Sequence, residues 1–303
     1  GGWGWWYDDD TDAYQTAWVV FGLALTAQAG YEVDSGVIRA GVEWLTDNLG
    51  QMDARTRAFA LYSLAVAGYG EVGPARALAL QAAQLDTFSR AGLALALHTL
   101  GARADAEALL GRLIDSAVQR GELVYWPDAQ TDGHYRAKTM SSTTRSTALA
   151  LSALVAIAPE HSLIPGVVRY LMSQRQASGW GSTNETSFTL LALTDYLLTQ
   201  TAGAADTGYT VELNGQILAA GQLGRGRPSA VLELAAGQLR AGGNVLRLAP
   251  GGAGRLYYVI TQRLYRPQAA VAAAGAIRLE RRYLDPATHQ PITGTIAAGQ
   301  LVQ

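Results

Sequence analysis

The sequence predicts a mainly α fold: an α/α toroid of helical hairpins, followed by a small antiparallel β unit and the start of a truncated β-sandwich. Two kinds of helix alternate in the first two-thirds of the chain. TAWVVFGLAL, RAFALYSLAV, RAGLALALHTL, STALALSALVA and TSFTLLALTDYL are apolar nearly all round, whereas IRAGVEWLTDNL and ADAEALLGRLID between them are amphipathic. A helix without a polar face must be buried on both sides, and an amphipathic one shows a face to water. Alternation therefore gives two layers of hairpins. After Thr201-Ala202-Gly203-Ala204 the period changes from helical to alternating, which marks strands.

The elements follow in order. Asp12 precedes a first helix that runs to Gly30, a C-terminal glycine. Asp34 caps the second and Asp53 the third, which ends at Gly68. Pro74 suits the opening turn of a fourth helix. Thr87 is read as the cap of a fifth, closed by Gly101, and a sixth runs through ADAEALLGRLIDSAV. A polar stretch from about Arg120 to Ser142 separates these from TTRSTALALSALVAIA, which Pro159 ends. IPGVVRYLMSQRQ and TNETSFTLLALTDYLLTQ complete the set. Beyond them TGYTVELNGQILAAG reads as a hairpin around Asn214-Gly215. PSAVLELAAG, NVLRLAP and RLYYVITQRLYRP read as further strands, and the last residues as strands around a Pro286-to-Pro291 loop. The expected domains are 1–203, 204–268 and 276–303, the last too short to bury a core alone. Both ends read as cut through a motif.

Composition bounds the function. The 303 residues are 49% hydrophobic with a net charge of −2, so no basic footprint for nucleic acid or anionic lipid exists. No apolar run approaches the ~20 residues of a bilayer span. Cysteine is absent, which removes disulfides, thiolate metal sites and cysteine nucleophiles from this chain. His98, His134, His161 and His289 have no ligand spacing, and no metal or cofactor is expected.

Two hairpin entrances match. Gly2-Trp3-Gly4 precedes Thr16-Ala17, and Gly179-Trp180-Gly181 precedes Thr186-Ser187. The first copy is seven residues longer from Trp to Thr, which isolates Trp5, Trp6, Tyr7 and Asp8 and their neighbours as an insertion. Asp8-Asp9-Asp10-Thr11-Asp12 satisfies D-D-x-x-D, an arrangement that can hold Mg²⁺ and diphosphate in prenyl-transferring enzymes. That chemistry needs a second facing acidic cluster, and none is legible. The simpler reading makes Asp12 a helix cap and its neighbours partners of the helix dipole. The D-x-D-D pattern of polyene cyclases would need an aspartate at Thr11. Glu185 could act as an acid beside a second carboxylate, but its place fits the first turn of a helix capped by Ser182 or Thr183. Arg57 and Arg145, at helix entrances, are read as paired surface or capping residues.

Taken in order, GGWGWWYDDDTDAYQTAWVVFGLALTAQAGYEVD, RSTALALSALVAIAPEHSLIPGVVRYLMSQRQASGWGSTNETSFTLLALTDYLL and GRLYYVITQRLYRP resemble the C-terminal part of bacterial alpha-2-macroglobulins. The resemblance covers essentially the whole chain. It implies a thioester domain, part of a CUB-like β domain and the start of a final macroglobulin domain. It implies a protease inhibitor, not an enzyme, in the periplasm or cell envelope. Its partners would be target proteases and the other macroglobulin domains of a longer protein, and no cofactor would be involved. In that family a protease cuts a bait segment and a Cys-Gln thioester then acylates it; here both would lie outside the chain. Trp5, Trp6, Tyr7 and Asp8 become candidates for the wall that keeps the thioester dry. Related complement domains carry a histidine near this place; residues 5–10 hold none, which implies direct attack by amines. The alternatives are a toroid enzyme using the Asp8–Asp12 cluster and a non-covalent envelope scaffold.

Overall fold

The computed structural model describes residues 1–6, 8–128, 140–176, 179–200, 206–224, 227, 229–252, 256–262, 282–297 and 299–303. Among these the helices are α1 (Ala13–Gln28), α2 (Ser35–Asn48), α3 (Ala54–Val66), α4 (Val72–Ala79), α5 (Thr87–Thr99), α6 (Arg103–Asp115), α7 (Thr143–Ile157), α8 (Ile164–Ser173) and α9 (Thr183–Gln200). The fold is rich in helix, with small antiparallel sheets, as the alternation implies.

Caps set the boundaries. Asp12, Asp34 and Asp53 each accept a first-turn backbone N–H, at Gln15, Gly36 and Arg55 respectively. Asp86, not Thr87, caps α5 by accepting from the Ser89 N–H, because its carboxylate reaches the third helical residue. α4 opens at Val72, two residues before Pro74, still within the turn whose N–H groups need no helical partner. Gly30, Gly68 and Gly101 take φ of +88°, +82° and +76°. At Gly30 the N–H donates to Ala27 O while Tyr31 N–H donates to Thr26 O, a Schellman closure that the other two repeat.

Helices α1, α3, α5, α7 and α9 pack in succession as an inner layer, and α2, α4, α6 and α8 lie outside them. α7 is buried from Thr144 through Val155, whereas α2 buries only Gly41, Val42 and Leu45. The inner layer meets at a cluster of rings: Tyr14 and Phe59 at 5.1 Å, Phe59 and Phe88 at 5.7 Å, Phe88 and Phe188 at 5.0 Å. Trp18 stacks on Phe188 at 5.0 Å, which joins the first inner helix to the last. Rings from α1, α3, α5 and α9 therefore form one connected cluster.

The Arg120-to-Ser142 stretch is not featureless. β1 (Val118–Arg120) and β2 (Leu123–Tyr125) form a hairpin around Gly121, whose φ is +57°. Residues 129–139 lie outside the described ones. Further on, β3 (Thr207–Leu213), β4 (Gln216–Leu223) and β5 (Leu246–Gly251) form an antiparallel sheet in the order β4-β3-β5. Asn214 and Gly215, both at positive φ, make the expected turn. PSAVLELAAG is not a strand over 229–235, and 256–262 of RLYYVITQRLYRP is not either. Val231, Tyr258 and Ile260 are exposed there, and among the described residues no strand pairs with these stretches to hold them.

The chain divides into two compact units, Gly1–Tyr257 and Tyr258–Gln303. In the second, Leu284 and Pro291 form a bridge among the described residues, with the loop held by Asp285, while residues 263–281 of the expected strands lie outside the described ones. No described helix is long and apolar enough to cross a membrane.

Candidate functional site

Inner and outer helices alternate along the chain and pack as hairpins, which makes the inner helices run the same way, so their N-termini gather at one mouth. Each of three entrances there is built by one device. At the first, Trp3 N–H donates to Thr16 Oγ1 at 3.0 Å while the Thr16 hydroxyl faces Trp3 O. At the last, Trp180 N–H donates to Thr186 Oγ1 at 3.0 Å, and Thr186 faces Trp180 O. Between them Trp126 N–H donates to Thr147 Oγ1 at 3.1 Å. The indole N–H groups of Trp126 and Trp180 both donate at 2.7 Å to a carbonyl near the end of the preceding outer helix, Leu113 O and Leu171 O. A tryptophan thus ties an outer helix to the next inner one. Sequence reading found two copies. It missed Trp126 because 21 positions separate it from Thr147, against 6 in the shortest copy.

Glycines let the loops close. Gly179 has φ of +147°, and a Cβ there would lie 2.8 Å from Thr186 Oγ1. Gly4 is pressed against Asp9, where a Cβ would lie 2.6 Å from the Asp9 Cβ. Gly2 and Gly181 are similarly crowded, by Thr11 and Glu185.

In the insertion at the first entrance, Trp5 is 49% and Trp6 78% exposed. Asp8 is exposed as well, and Tyr7 lies outside the described residues. Trp6 N–H donates to Asp9 Oδ2, Asp9 N–H donates to Trp6 O, and Asp12 N–H donates to Trp3 O. Asp9 and Asp12 therefore hold the loop and cap the helix. No group able to hold a metal ion occurs among the described residues.

Arg145, in the first turn of α7, is 2% exposed rather than at the surface. Its guanidinium donates to Tyr14 Oη at 3.0 Å and lies 3.9 Å over the Phe88 ring. Asn184, one turn before Phe188, is also buried, as is Tyr14. Near the inner-helix N-termini, polar side chains are thus buried beside the ring cluster. Arg57 caps the turn after α2, donating to Leu49 O and Met52 O.

Residues 75–196 match the family model described as the A-macroglobulin TED domain. The chain is alpha-2-macroglobulin-like. It is 27% identical to the alpha-2-macroglobulin of Thermotoga maritima over 194 residues, 64% of this chain and 11% of the relative. Its fold is similar to that of Salmonella alpha-2-macroglobulin reacted with methylamine, with a TM-score of 0.57 at 19% identity, over 82% of this chain and 15% of that one. It is also similar to Escherichia coli alpha-2-macroglobulin activated by porcine elastase, with a TM-score of 0.54 at 18% identity, over 83% and 22%. The alpha-2-macroglobulin-like chain spans only about a tenth of its curated relative's length.

Proposed function

We propose that the chain forms the thioester-domain part of a bacterial broad-range protease inhibitor that works in the periplasm or cell envelope. The match of residues 75–196 to the TED domain carries this reading. The layered helices with their clamped mouth support it. Residues 1–203 would be the thioester-type toroid, 204–268 a CUB-like segment and 276–303 the start of a macroglobulin domain. Its partners would be target proteases and the other domains of the whole protein.

The chain has no cysteine, so the thioester and bait of such an inhibitor would be carried elsewhere in the whole protein. A thioester survives only where water and amines are kept away. Exposed Trp5 and Trp6, in the loop that the Trp6–Asp9 bonds hold, are suited to cover it, with Tyr7 and Asp8 as further candidates by sequence.

The test uses the whole protein and elastase. The expected result is a covalent elastase adduct on denaturing gels, lost after treatment with methylamine. Trp5→Ala with Trp6→Ala should speed inactivation by methylamine several-fold. Elastase left fully active, with no adduct, would sink the reading. Inhibition without an adduct, unchanged by methylamine, would instead favour a non-covalent scaffold. The missing histidine adds a further expectation: amines label the protein faster than glycerol, and equal rates would refute it.

A further inference from the structure

The turn between β3 and β4 holds the single Asn-Gly pair of the chain, Asn214-Gly215, and the sheet uses its side chain. β3 and β5 pair as far as Leu213 and Leu246, and the next rung joins Asn214 to Val245. Its first bond is backbone: Asn214 N–H donates to Val245 O at 2.8 Å. The chain turns there, with Asn214 at φ of +53°, and its side chain supplies the second bond. Val245 N–H donates to Asn214 Oδ1 at 2.9 Å. The carboxamide thus stands where a backbone carbonyl would continue the ladder.

The other half of the carboxamide is also engaged. Asn214 Nδ2 donates to Asn244 Oδ1 at 2.9 Å. Asn244 Oδ1 accepts as well from Arg240 N–H at 2.9 Å, and Asn244 Nδ2 donates to Arg240 O at 3.0 Å. Two asparagines therefore fasten the 240–245 loop to the β3-β4 turn.

The same turn is chemically exposed. An asparagine carboxamide can be attacked by the backbone nitrogen of the next residue, and a side chain on that residue hinders the approach. Asn48, Asn184 and Asn244 are followed by Leu49, Glu185 and Val245, whereas Asn214 is followed by Gly215. Space is open where a Cβ would stand at Gly215, and no hydrogen bond engages its N–H among the described residues.

We propose that Asn214 is a deamidation site whose conversion releases the 240–245 loop from the sheet. Gly215 N, its proton taken by a solvent base, bonds to Asn214 Cγ. The Cγ–Nδ2 bond breaks, and ammonia leaves with the proton returned. Water then opens the cyclic imide to aspartate or isoaspartate, and no oxidant or cofactor takes part. In the aspartate an oxygen replaces Nδ2 and faces Asn244 Oδ1, two acceptors with no proton between them. Turning the Asn244 amide over sets its NH2 against Arg240 N–H and its oxygen against Arg240 O. Either arrangement loses part of the latch. Isoaspartate also adds one carbon to the main chain inside a two-residue turn, which the Leu213–Gln216 register does not accommodate. The carboxamide must leave Val245 and Asn244 before it can swing to Gly215, so the latch slows the reaction. The site does not depend on the thioester reading.

The test incubates the complete chain at mildly alkaline pH beside a peptide of residues 207–223. Peptide mapping by mass spectrometry reads acid at each asparagine, and enzymatic methylation reads isoaspartate. Asn214 is expected to convert, more slowly than in the peptide, while Asn48, Asn184 and Asn244 remain amides. Asn244→Ala, a change at an exposed residue, should speed conversion at Asn214 several-fold. Hydrogen exchange at the Arg240 N–H should rise in the converted protein and equally in Asn214→Asp, which carries the acid from the start. An amide still intact at Asn214 long after the peptide has converted would overturn the proposal. So would a rate unchanged in Asn244→Ala, or Arg240 exchange unchanged in Asn214→Asp.

Discussion

At the residue scale, the hydroxyls of Thr16, Thr147 and Thr186 are the small groups on which the entrances depend. Thr186 both accepts from Trp180 N–H and faces its carbonyl, so Thr186→Val keeps the shape and removes the bond. A partly buried N–H left without a partner costs about 1–3 kcal/mol. Urea unfolding should show that loss, against almost none for Thr194→Val on the exposed side of the same helix. Equal effects of the two would mean the clamp adds nothing. Arg145→Ala should cost more, about 3 kcal/mol or above, since the change removes both the Tyr14 bond and the ring contact. A change under 1 kcal/mol would contradict its buried role. Sequence gave these two features unequal visibility. Gly-Trp-Gly repeats are legible by spacing, but Arg145 reads as an ordinary capping arginine, because nothing local reveals Phe88 and Tyr14, which arrive from other helices.

At the element scale, the alternation of apolar and amphipathic helices was legible because burial on two sides leaves no room for polar residues. The join between α1 and α9 was not. It depends on Trp18 meeting Phe188 from opposite ends of the helical region, a contact with no local signature. Phe188 also touches Phe88, Phe21 and Phe59, so Phe188→Ala should remove about 3–5 kcal/mol. Hydrogen exchange should rise first in α1 and α9, which that ring joins; uniform loosening of all inner helices would argue against the join. In the β region the Asn214-Gly215 hairpin was legible from its turn residues. The stretches at 229–235 and 256–262 carry strand-like residues, yet a strand exists only where a neighbour supplies the ladder, and sequence cannot supply the neighbour.

At the scale of the whole molecule, two carboxylates should divide the acid response between the two compact units. Asp195 belongs to Gly1–Tyr257 and its pKa is raised, by desolvation first. Folded protein therefore holds that proton more tightly than unfolded protein does. Its contribution is fully present below pH 3.8, the ordinary value, and is lost as pH rises through the higher folded value. Asp285, in Tyr258–Gln303, is lowered, by the Thr288 N–H first and then the Ala287 N–H. There the sign reverses: stability is present above 3.8 and lost as pH falls through the lower folded value. Asp195→Asn should consequently raise the melting temperature of the helical unit at pH 7, and the gain should vanish below pH 3.8. Asp285→Asn should instead loosen the second unit near neutral pH, with no difference from wild type once the pH falls below both values. Calorimetry across pH 2–7 separates the two. A neutral-pH gain for Asp195→Asn that persists undiminished at pH 2–3 would show that the substitution acts through packing, and that the carboxylate is not the strained group its surroundings imply.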